Sequence, residues 1–359
     1  YCQALATEIE RLPEVYEAAG IAREIFEAPV DSVYIGGGTP SLLGAERMER
    51  IVADLHRLFR FGPAVEFTME VPPGSADKGF LKHALAVGIN RLSIGGQSFS
   101  DEELRSVGRL HSAADTGALI QSARGEGFVN ISVDLIAGLP HQTLSSWQSS
   151  LESVTALQPE HVSIYLFEID NKSRLGSEVL RHGIRYHADA VPDEDYVAEA
   201  YSQARASLRQ AGYVQYEISN FALLGHESIH NRKYWQLKPY LGLGAGAHSS
   251  DGQFRWENTT AVEEYQRRMA QGESPICEQR RLTPDAQLEE FFFLGLRQSE
   301  GINLAEAVRR WGSGPIERWD QKIESLKNDG WLEQCNGHVR LADKALLVSN
   351  EIFQEFIGV

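Results

Sequence analysis

The chain has 359 residues and carries 34 lysines and arginines against 50 aspartates and glutamates, a formal net charge of −16. Hydrophobic residues make up 42% of it, which is enough to build a folded core and excludes disorder as the dominant state. The acidic balance argues against a surface for nucleic acid or an anionic membrane, since both are polyanions. Three scattered cysteines, Cys2, Cys277 and Cys335, predict neither a disulfide framework nor a metal-ligand set.

The first predicted element is a helix over residues 3–27, with no strand before it. A series of alternating strands and helices that opens on a helix is expected to have lost its first strand. The chain also begins with Tyr1 rather than Met, so we expect further residues upstream. No leader of charged and then apolar residues is visible, and the longest apolar run, residues 291–296, is too short to cross a bilayer.

Six β-rich runs follow this helix. The first five start 33, 26, 39 and 31 residues apart, which is the length of a strand–helix–strand unit. Amphipathic helices are predicted between them, for example from Ala45 and after Thr143, a candidate N-cap. Because the runs are largely apolar, they indicate a parallel sheet covered on both faces. The predicted strands are residues 32–36, 65–70, 91–95, 130–136, 161–167 and 214–219.

The remainder of the chain has a different character. Residues 214–250 are rich in glycine and aromatic residues, which is not typical of regular helix. Residues 284–359 predict three helices and then a hairpin around Asn336-Gly337, the winged-helix layout. This region has 8 basic and 13 acidic residues, so we interpret it as a packing module rather than a DNA reader. The predicted domains are residues 1–220, 221–282 and 283–359.

Polar residues recur where the predicted strands end. Residues 36–40 (GGGTP) follow the first strand, Glu70 closes the second and Gln97 follows the third. Asp134 lies within an apolar strand and needs a partner, for which Arg109 is the candidate. Each feature alone fits a structural role, but four around one rim, beside a glycine loop, favour a polar small-molecule site.

Two histidines stand among the aromatic and glycine residues. His230 opens the segment HNRKYW, and His248 follows a glycine-rich run. A histidine beside aromatic residues can be a metal or haem ligand, but a lone histidine is more often a hydrogen-bonded structural residue. The residues alone favour the structural role for His230 and leave His248 open.

Seven segments, in their order, resemble the radical S-adenosylmethionine (SAM) family of oxygen-independent coproporphyrinogen III oxidase, and within it the haem-chaperone branch, HemW: YIGGGTPSLL, NRLSIGGQSF, GRLHSAAD, VDLIAGLP, EISNFA, HNRKYW and YLGLGAGAHS. The resemblance covers nearly the whole chain. It implies a partial (β/α)6 barrel, here without its first strand, followed by the winged-helix-like region. If that strand is absent, residues 32–36 should form an edge of the sheet.

The resemblance also implies site residues. It assigns SAM binding to Gly37, Gly38, Thr39, Glu70, Gln97, Arg109 and Asp134. It assigns haem contact to His230, Asn231, Tyr234 and Trp235. The chemistry of the segment makes His230 the expected iron ligand, with His248 or a residue outside this chain as the next candidate, and offers Arg232 and Lys233 as counter-charges for the haem propionates. This assignment reverses the structural interpretation of His230.

Three departures from the family pattern stand out. Glu70-Val71-Pro72-Pro73 replaces the usual Glu-Ala-Asn-Pro, and Gly96 stands where Val usually precedes Gln97. The CxxxCxxC motif, whose thiolates hold a [4Fe–4S] cluster in the family, is absent from this chain and is expected upstream of Tyr1. The residues given should therefore bind no cluster by that motif, and without it they should bind SAM weakly.

Three functions fit the resemblance. The first is a haem chaperone that binds haem, SAM and a [4Fe–4S] cluster and delivers haem to acceptor proteins. The second is the oxidase itself, which decarboxylates porphyrinogen propionates through a SAM-derived radical. The third is a barrel that has lost its cluster. The HNRKYW segment favours the first. A cytoplasmic location is expected, and a homodimer and peripheral contact with membrane proteins are left open.

Overall fold

A computed structural model of the chain describes residues 1–21, 24–169, 174–181 and 183–358. It divides into two compact units. The barrel unit comprises residues 33–45 and 66–227, and the C-terminal unit comprises residues 1–32, 46–65 and 228–359. In this division residues 1–32 cluster with the C-terminal unit rather than with the barrel.

The barrel unit is built on a seven-stranded sheet with the order β1-β2-β3-β4-β5-β7-β6. Pairing is parallel from β2 to β5, which confirms the predicted partial barrel. In the part of the chain that the structure describes, β1 forms one edge, as predicted. The strands are β1 (Val30–Ile35), β2 (Phe61–Glu70), β3 (Arg91–Gln97), β4 (Ile131–Ala137), β5 (His161–Leu166), β6 (Val214–Gln215) and β7 (Asn220–Ala222).

The predicted sixth strand, residues 214–219, is wrong. The chain instead forms the short antiparallel pair β6 and β7, and β7 adds antiparallel to β5. The cause is Glu217, which is fully buried and accepts hydrogen bonds from the Ser219 backbone N–H and from the Asn220 amide. A buried carboxylate takes donors from its own turn, and this bends the chain back on itself.

Helices connect the strands as the periodicity predicts. The predicted helix from Ala45 appears as α3, and Thr143 caps α7 by accepting from the Ser146 backbone N–H. The helices up to residue 210 are α1 (Cys2–Ala18), α2 (Glu24–Glu27), α3 (Ala45–Leu58), α4 (Lys78–Ala86), α5 (Asp101–Ser106), α6 (Ala113–Glu126), α7 (Leu144–Ala156), α8 (Arg174–Leu180) and α9 (Glu194–Gln210).

The predicted helix over residues 3–27 is interrupted. Helix α1 ends at Ala18, where the Ile21 backbone N–H turns back to the Tyr16 carbonyl, and α2 begins at Glu24. Residues 22 and 23 of that prediction lie outside the described residues. Within the C-terminal unit, α1 packs Leu12 and Tyr16 against Trp256, with the Tyr16 and Trp256 rings edge to face at 5.3 Å.

A buried carboxylate fastens α1 to the rest of the C-terminal unit. Glu8 is 1% exposed and accepts from the Gly244 backbone N–H at 2.7 Å, the Asn258 amide at 2.7 Å and the Tyr265 hydroxyl at 2.6 Å. Burial raises the pKa of Glu8 above its usual value, and the three donors oppose that rise. The glycine-rich loop around Gly244 is therefore held by α1.

The region after residue 228 contains a three-stranded antiparallel sheet in the order β10-β9-β8, flanked by helices. Its elements are α10 (Ile229–Trp235), β8 (His248–Ser250), β9 (Phe254–Asn258), α11 (Val262–Gln271) and β10 (Ile276–Arg281). Trp256 points to the face that packs on α1, so its neighbours Arg255 and Glu257 point to the opposite face.

The end of the chain confirms the predicted winged-helix layout. Asn336 and Gly337 both have positive φ, 51° and 81°, as the predicted two-residue hairpin turn requires. Phe292 stacks on Phe356 at 4.8 Å beside Trp319 and forms the local core. The elements are α12 (Pro284–Gly295), β11 (Ile302–Asn303), α13 (Leu304–Trp311), α14 (Ser313–Asn328), β12 (Leu332–Cys335), β13 (His338–Leu341) and α15 (Ser349–Gln354). No helix among the described residues is long and apolar enough to span a membrane.

Candidate functional site

The carboxyl ends of β1 and β2 bring a glycine turn and a carboxylate together. Glu70 accepts from the Tyr34 hydroxyl at 2.7 Å and from the Gly37 backbone N–H at 3.1 Å. A Cβ on Gly36 would lie 2.6 Å from the Glu70 carboxyl and from the Tyr34 ring, so only glycine fits there. The predicted association of the glycine loop with Glu70 is present, and residues 36–38 are exposed and open to a ligand.

Asp134 on β4 extends this group. It accepts from the Ser93 hydroxyl at 3.4 Å and interacts with Ser163, its register partner on β5. Burial raises the pKa of Asp134 to about 6, and Glu70 adds to that rise while Arg91 opposes it. Arg91 is 2% exposed and is the cation that acts on Asp134.

Arg109, the partner predicted for Asp134, lies elsewhere. Its side chain is exposed in the loop between α5 and α6. The reason is that Asp134 sits inside the sheet, where neighbouring strands supply Ser93, Ser163 and Arg91 at fixed register. Arg109 is therefore available for a ligand at the rim, but it does not neutralise Asp134.

Gln97 closes β3 in a strained conformation. It is buried and has a φ of 64°, and the pairing of β3 with β4 is irregular between Ile94 and Gln97. Positive φ in a residue other than glycine is uncommon and is found disproportionately at functional sites. Gly96, which departs from the family pattern, lies beside it, and a Cβ there would lie 3.2 Å from both Thr116 and Val133. We call Gly36, Gly37, Glu70, Gln97 and Asp134 the strand-end cluster.

The strand-end cluster has the chemistry of a polar small-molecule site, whereas the described residues do not offer the ligands of an iron–sulfur cluster. Its carboxylates can accept from amino and hydroxyl groups, and the glycine backbone can approach a ligand closely. Cys2 is half-buried, Cys277 and Cys335 are exposed, and among the described residues no three His, Cys, Asp or Glu side chains are placed to hold a metal.

Helix α10 carries the HNRKYW segment in the C-terminal unit. His230 Nε2 lies 3.0 Å from the Tyr234 hydroxyl, and Nδ1 lies 3.4 Å from the Ser32 hydroxyl. Lys233, predicted as a counter-charge for propionates, already forms an ion pair with Asp31. Asn231 lies in the first turn, where its backbone N–H is capped by the Ser228 hydroxyl.

Tyr234 and Trp235 form one wall of a cavity of about 270 Å³ within the C-terminal unit. The other walls include Tyr240, Arg255, Leu294 and Arg310. Tyr234 and Tyr240 meet edge to face at 4.7 Å, and Arg297 lies 4.4 Å from the Trp235 ring.

Two buried donors in the cavity wall lack an acceptor. The Trp235 indole N–H and the Arg255 Nε–H are both buried without a hydrogen-bond partner among the described residues. Arg255 also pairs with Glu290 at 2.9 Å through its Nη2. Because an unmade hydrogen bond of a buried donor is costly, such groups indicate a place for an acceptor, and an anion is the strongest one.

Several of these residues were not predicted. Ser93 and Ser163 could have been found, because each is a polar residue inside an apolar strand, as Asp134 is. Tyr34 stands two residues before the glycine turn, a position where side chains point into the site. Arg255 and Arg310 gave no local signal, since they reach the cavity from separate segments, and Tyr240 was visible only as the first residue of the segment YLGLGAGAHS.

Two family models and several known proteins match this chain. The radical SAM superfamily model matches residues 1–154, and the HemN C-terminal domain model matches residues 282–348. The chain is 33% identical over 328 residues to the "Heme chaperone HemW" of Bacillus subtilis, covering 91% of this chain and 85% of that protein. It is 30% identical to the protein of the same name in Escherichia coli, covering 92% and 84%.

A solved structure supports the fold. Coproporphyrinogen III oxidase (HemN) from Escherichia coli, a radical SAM enzyme, superposes with a TM-score of 0.82 and covers 99% of this chain and 82% of that one, at 24% identity. At that identity the likeness shows the architecture only, whereas the relatives above show the family. This chain belongs to the HemW family of haem chaperones, within the radical SAM superfamily.

Proposed function

We propose that this protein binds haem in its C-terminal unit and passes it to haem-requiring acceptor proteins. The observation that carries the proposal is the cavity beside α10, where two residues of the HNRKYW segment meet two arginines from other elements. Haem combines a flat apolar ring with two carboxylates, so its site needs aromatic surface and cationic or N–H donors. The names of the relatives support the same cargo.

Each wall of the cavity has a role in this proposal. Tyr234 and Tyr240 provide the aromatic surface for the porphyrin edge. The Trp235 indole N–H, the Arg255 Nε–H and the exposed Arg310 guanidinium donate to a propionate. At about 270 Å³ the cavity holds one edge of the ring and leaves the rest exposed. An exposed cargo suits a chaperone, because the acceptor must reach it.

The strand-end cluster is proposed as the SAM site. Gly37, Gly38 and Thr39 would approach the amino-acid end of SAM, Glu70 and Asp134 would accept from its amino and hydroxyl groups, and Gln97 and Arg109 would complete the rim. When bound, SAM with a [4Fe–4S] cluster supplies one-electron chemistry. In this proposal the residues of this chain bind and orient SAM, and those that the structure describes offer no ligand set for the cluster.

Haemin titration of the full chain tests the proposal. A saturable Soret change at one haemin per chain is expected, followed by loss of that band when apomyoglobin is added and develops its own spectrum. Free haemin at the same concentration is the control for the rate of transfer. A linear, unsaturable change in Soret absorbance, identical to that of haemin in buffer without the protein, would contradict haem binding.

The oxidase is the second candidate. Its support here is the shared architecture with the Escherichia coli enzyme, which shows the fold alone. Release of carbon dioxide from coproporphyrinogen III by the reconstituted protein would favour the oxidase. Haem transfer without that release would favour the chaperone.

A further inference from the structure

We propose that His248, oriented by Glu257, binds the iron of the haem whose edge occupies the cavity. The inference rests on the proposed function and deepens it by naming the iron ligand. It differs from the expectation drawn from the HNRKYW segment, which pointed to His230. Three observations carry it: the orientation of the His248 ring, its position on the same sheet face as the cavity, and the contacts that already occupy both ring nitrogens of His230.

The first observation is the ring orientation. His248 Nδ1 lies 3.5 Å from the Glu257 carboxylate, and the histidine side chain is 65% exposed. Histidines that bind metals commonly direct one ring nitrogen to a carboxylate or carbonyl, which fixes the tautomer and makes the other nitrogen a better ligand. Nδ1 faces Glu257, so Nε2 is the nitrogen presented for an iron.

The second observation is the position along β8. His248 and Ser250 share one face of the strand because side chains alternate, and their register partners Glu257 and Arg255 share it too. Ser250 and Arg255 both line the cavity. Two residues along a strand span about 7 Å. A porphyrin with its edge in the cavity can therefore present its iron at His248.

The loop before His248 packs closely against its own strand. A Cβ on Gly242 would lie 2.2 Å from the His248 carbonyl oxygen, so the loop closes tightly on the strand. Glu8 holds the middle of the same loop through Gly244. A preorganised ligand loses little conformational entropy when it binds, which favours this histidine over a mobile one.

The third observation concerns His230. Both of its ring nitrogens already face hydroxyl groups, Nε2 that of Tyr234 and Nδ1 that of Ser32. Burial raises the pKa of Tyr234 to about 12, so its hydroxyl stays protonated and keeps this contact. His230 thus acts as a positioning residue that holds Tyr234 at the cavity wall.

Cys277 is the competing ligand on this face. Its thiol lies 3.7 Å from the Glu257 carboxylate. Desolvation, followed by the Glu257 charge, raises the pKa of that thiol, and the thiolate is the form that binds metals. Cys277 therefore remains a poor ligand beside His248.

The test is a haemin titration of the full chain and four variants, His248→Ala, His230→Ala, Glu257→Gln and Cys277→Ser. His248→Ala should weaken haemin binding at least tenfold and shift the Soret band, and added imidazole should restore the original spectrum. His230→Ala should weaken haemin binding severalfold, because Tyr234 loses its partner, but keep the wild-type Soret position. Cys277→Ser should keep both the affinity and the Soret position. Glu257→Gln should keep binding but lower the Fe–His stretching frequency of the ferrous complex, a change that a purely structural role would not produce.

The outcomes separate the two proposals. If the wild type binds no haemin, the proposed function and this inference both fail. If the wild type binds haemin and His248→Ala leaves the affinity and spectrum unchanged, only the inference fails. Loss of the iron–histidine signature in His230→Ala or of a thiolate signature in Cys277→Ser would likewise overturn it and assign the iron to that residue. Because His248 is exposed, its replacement leaves the core intact.

Discussion

The strand-end cluster of the barrel unit offers acceptors, whereas the cavity of the C-terminal unit offers donors. Glu70 and Asp134 face the first site with carboxylate oxygens. The Trp235 indole N–H and the Arg255 Nε–H belong to residues that line the second and have no acceptor among the described residues. One site therefore offers acceptors for amino and hydroxyl groups, as the proposed SAM site requires, and the other offers donors for carboxylates, as the proposed haem site requires.

This difference in hydrogen-bonding groups would let one chain bind two different ligands at separate sites. A ligand rich in donors gains little from the cavity, and an anionic ligand is repelled by the paired carboxylates of the strand-end cluster. The largest expected effect comes from a third carboxylate, Glu8, which belongs to neither site and has its hydrogen bonds satisfied within the fold.

Glu8→Ala should lower the free energy of unfolding by about 4 kcal/mol, because three buried donors would lose their acceptor. Urea denaturation monitored by tryptophan fluorescence measures this loss. Glu10→Ala, an exposed position on the same helix, should change stability by less than about 0.5 kcal/mol. Equal effects of the two variants would show that Glu8 does not fasten α1 to the glycine-rich loop.

The free energy of unfolding is expected to depend on pH through Asp134 of the barrel unit. The pKa of Asp134 is raised to about 6, so the folded state binds this proton more tightly than the unfolded state. Its contribution to stability is present below about pH 4 and is lost as the pH rises through 6, by at most about 3 kcal/mol.

Denaturation of the wild type and Asp134→Asn between pH 4 and 8 checks this expectation. The wild type should lose stability relative to the variant as the pH increases. A difference between the two proteins that stays constant across that range would show that Asp134 titrates normally.

Trp235→Phe tests the donor character of the cavity with the ring retained. Removing one N–H donor to a carboxylate costs about 1.5 kcal/mol, roughly tenfold in Kd for haemin. Trp331→Phe serves as the matched control, because Trp331 lies just before β12 and does not line the cavity. Fluorescence quenching by haemin gives both constants, and unchanged affinity in Trp235→Phe would remove the indole N–H from the site.

The smallest expected effect is a change in the affinity for SAM. Glu70→Gln should reduce an already weak affinity severalfold, since one charge-assisted hydrogen bond becomes a neutral one. Equilibrium dialysis with labelled SAM follows it. Stronger binding in the variant would contradict the acceptor role of Glu70.

The features of the two units differ in how far the sequence predicts them. The parallel strands, the Asn336-Gly337 turn and the glycine turn beside Glu70 follow local rules of spacing and turn chemistry, so they could be predicted. The hairpin that replaced the strand at residues 214–219 depends on burial of Glu217, which periodicity does not reveal. The cavity was missed because Tyr240, Arg255 and Arg310 meet only in three dimensions.

The partners of single residues were the least predictable feature. Arg109 was the predicted partner of Asp134, but the sheet register supplies Arg91, Ser93 and Ser163 instead. Lys233 was the predicted counter-charge for a propionate, but it forms an ion pair with Asp31. Each outcome depends on which strands or segments become neighbours, and a single sequence does not specify those neighbours.

The central claim is that haem binds through the donors of the cavity and not through the strand-end cluster. Haemin titration of Arg310→Gln and Glu70→Gln, side by side with the wild type, tests it most directly, because Arg310 is an exposed residue of the cavity wall and its loss leaves no buried charge unpaired. We expect Arg310→Gln to weaken haemin binding about tenfold and Glu70→Gln to leave it unchanged. Weakening by Glu70→Gln with full affinity in Arg310→Gln would contradict it.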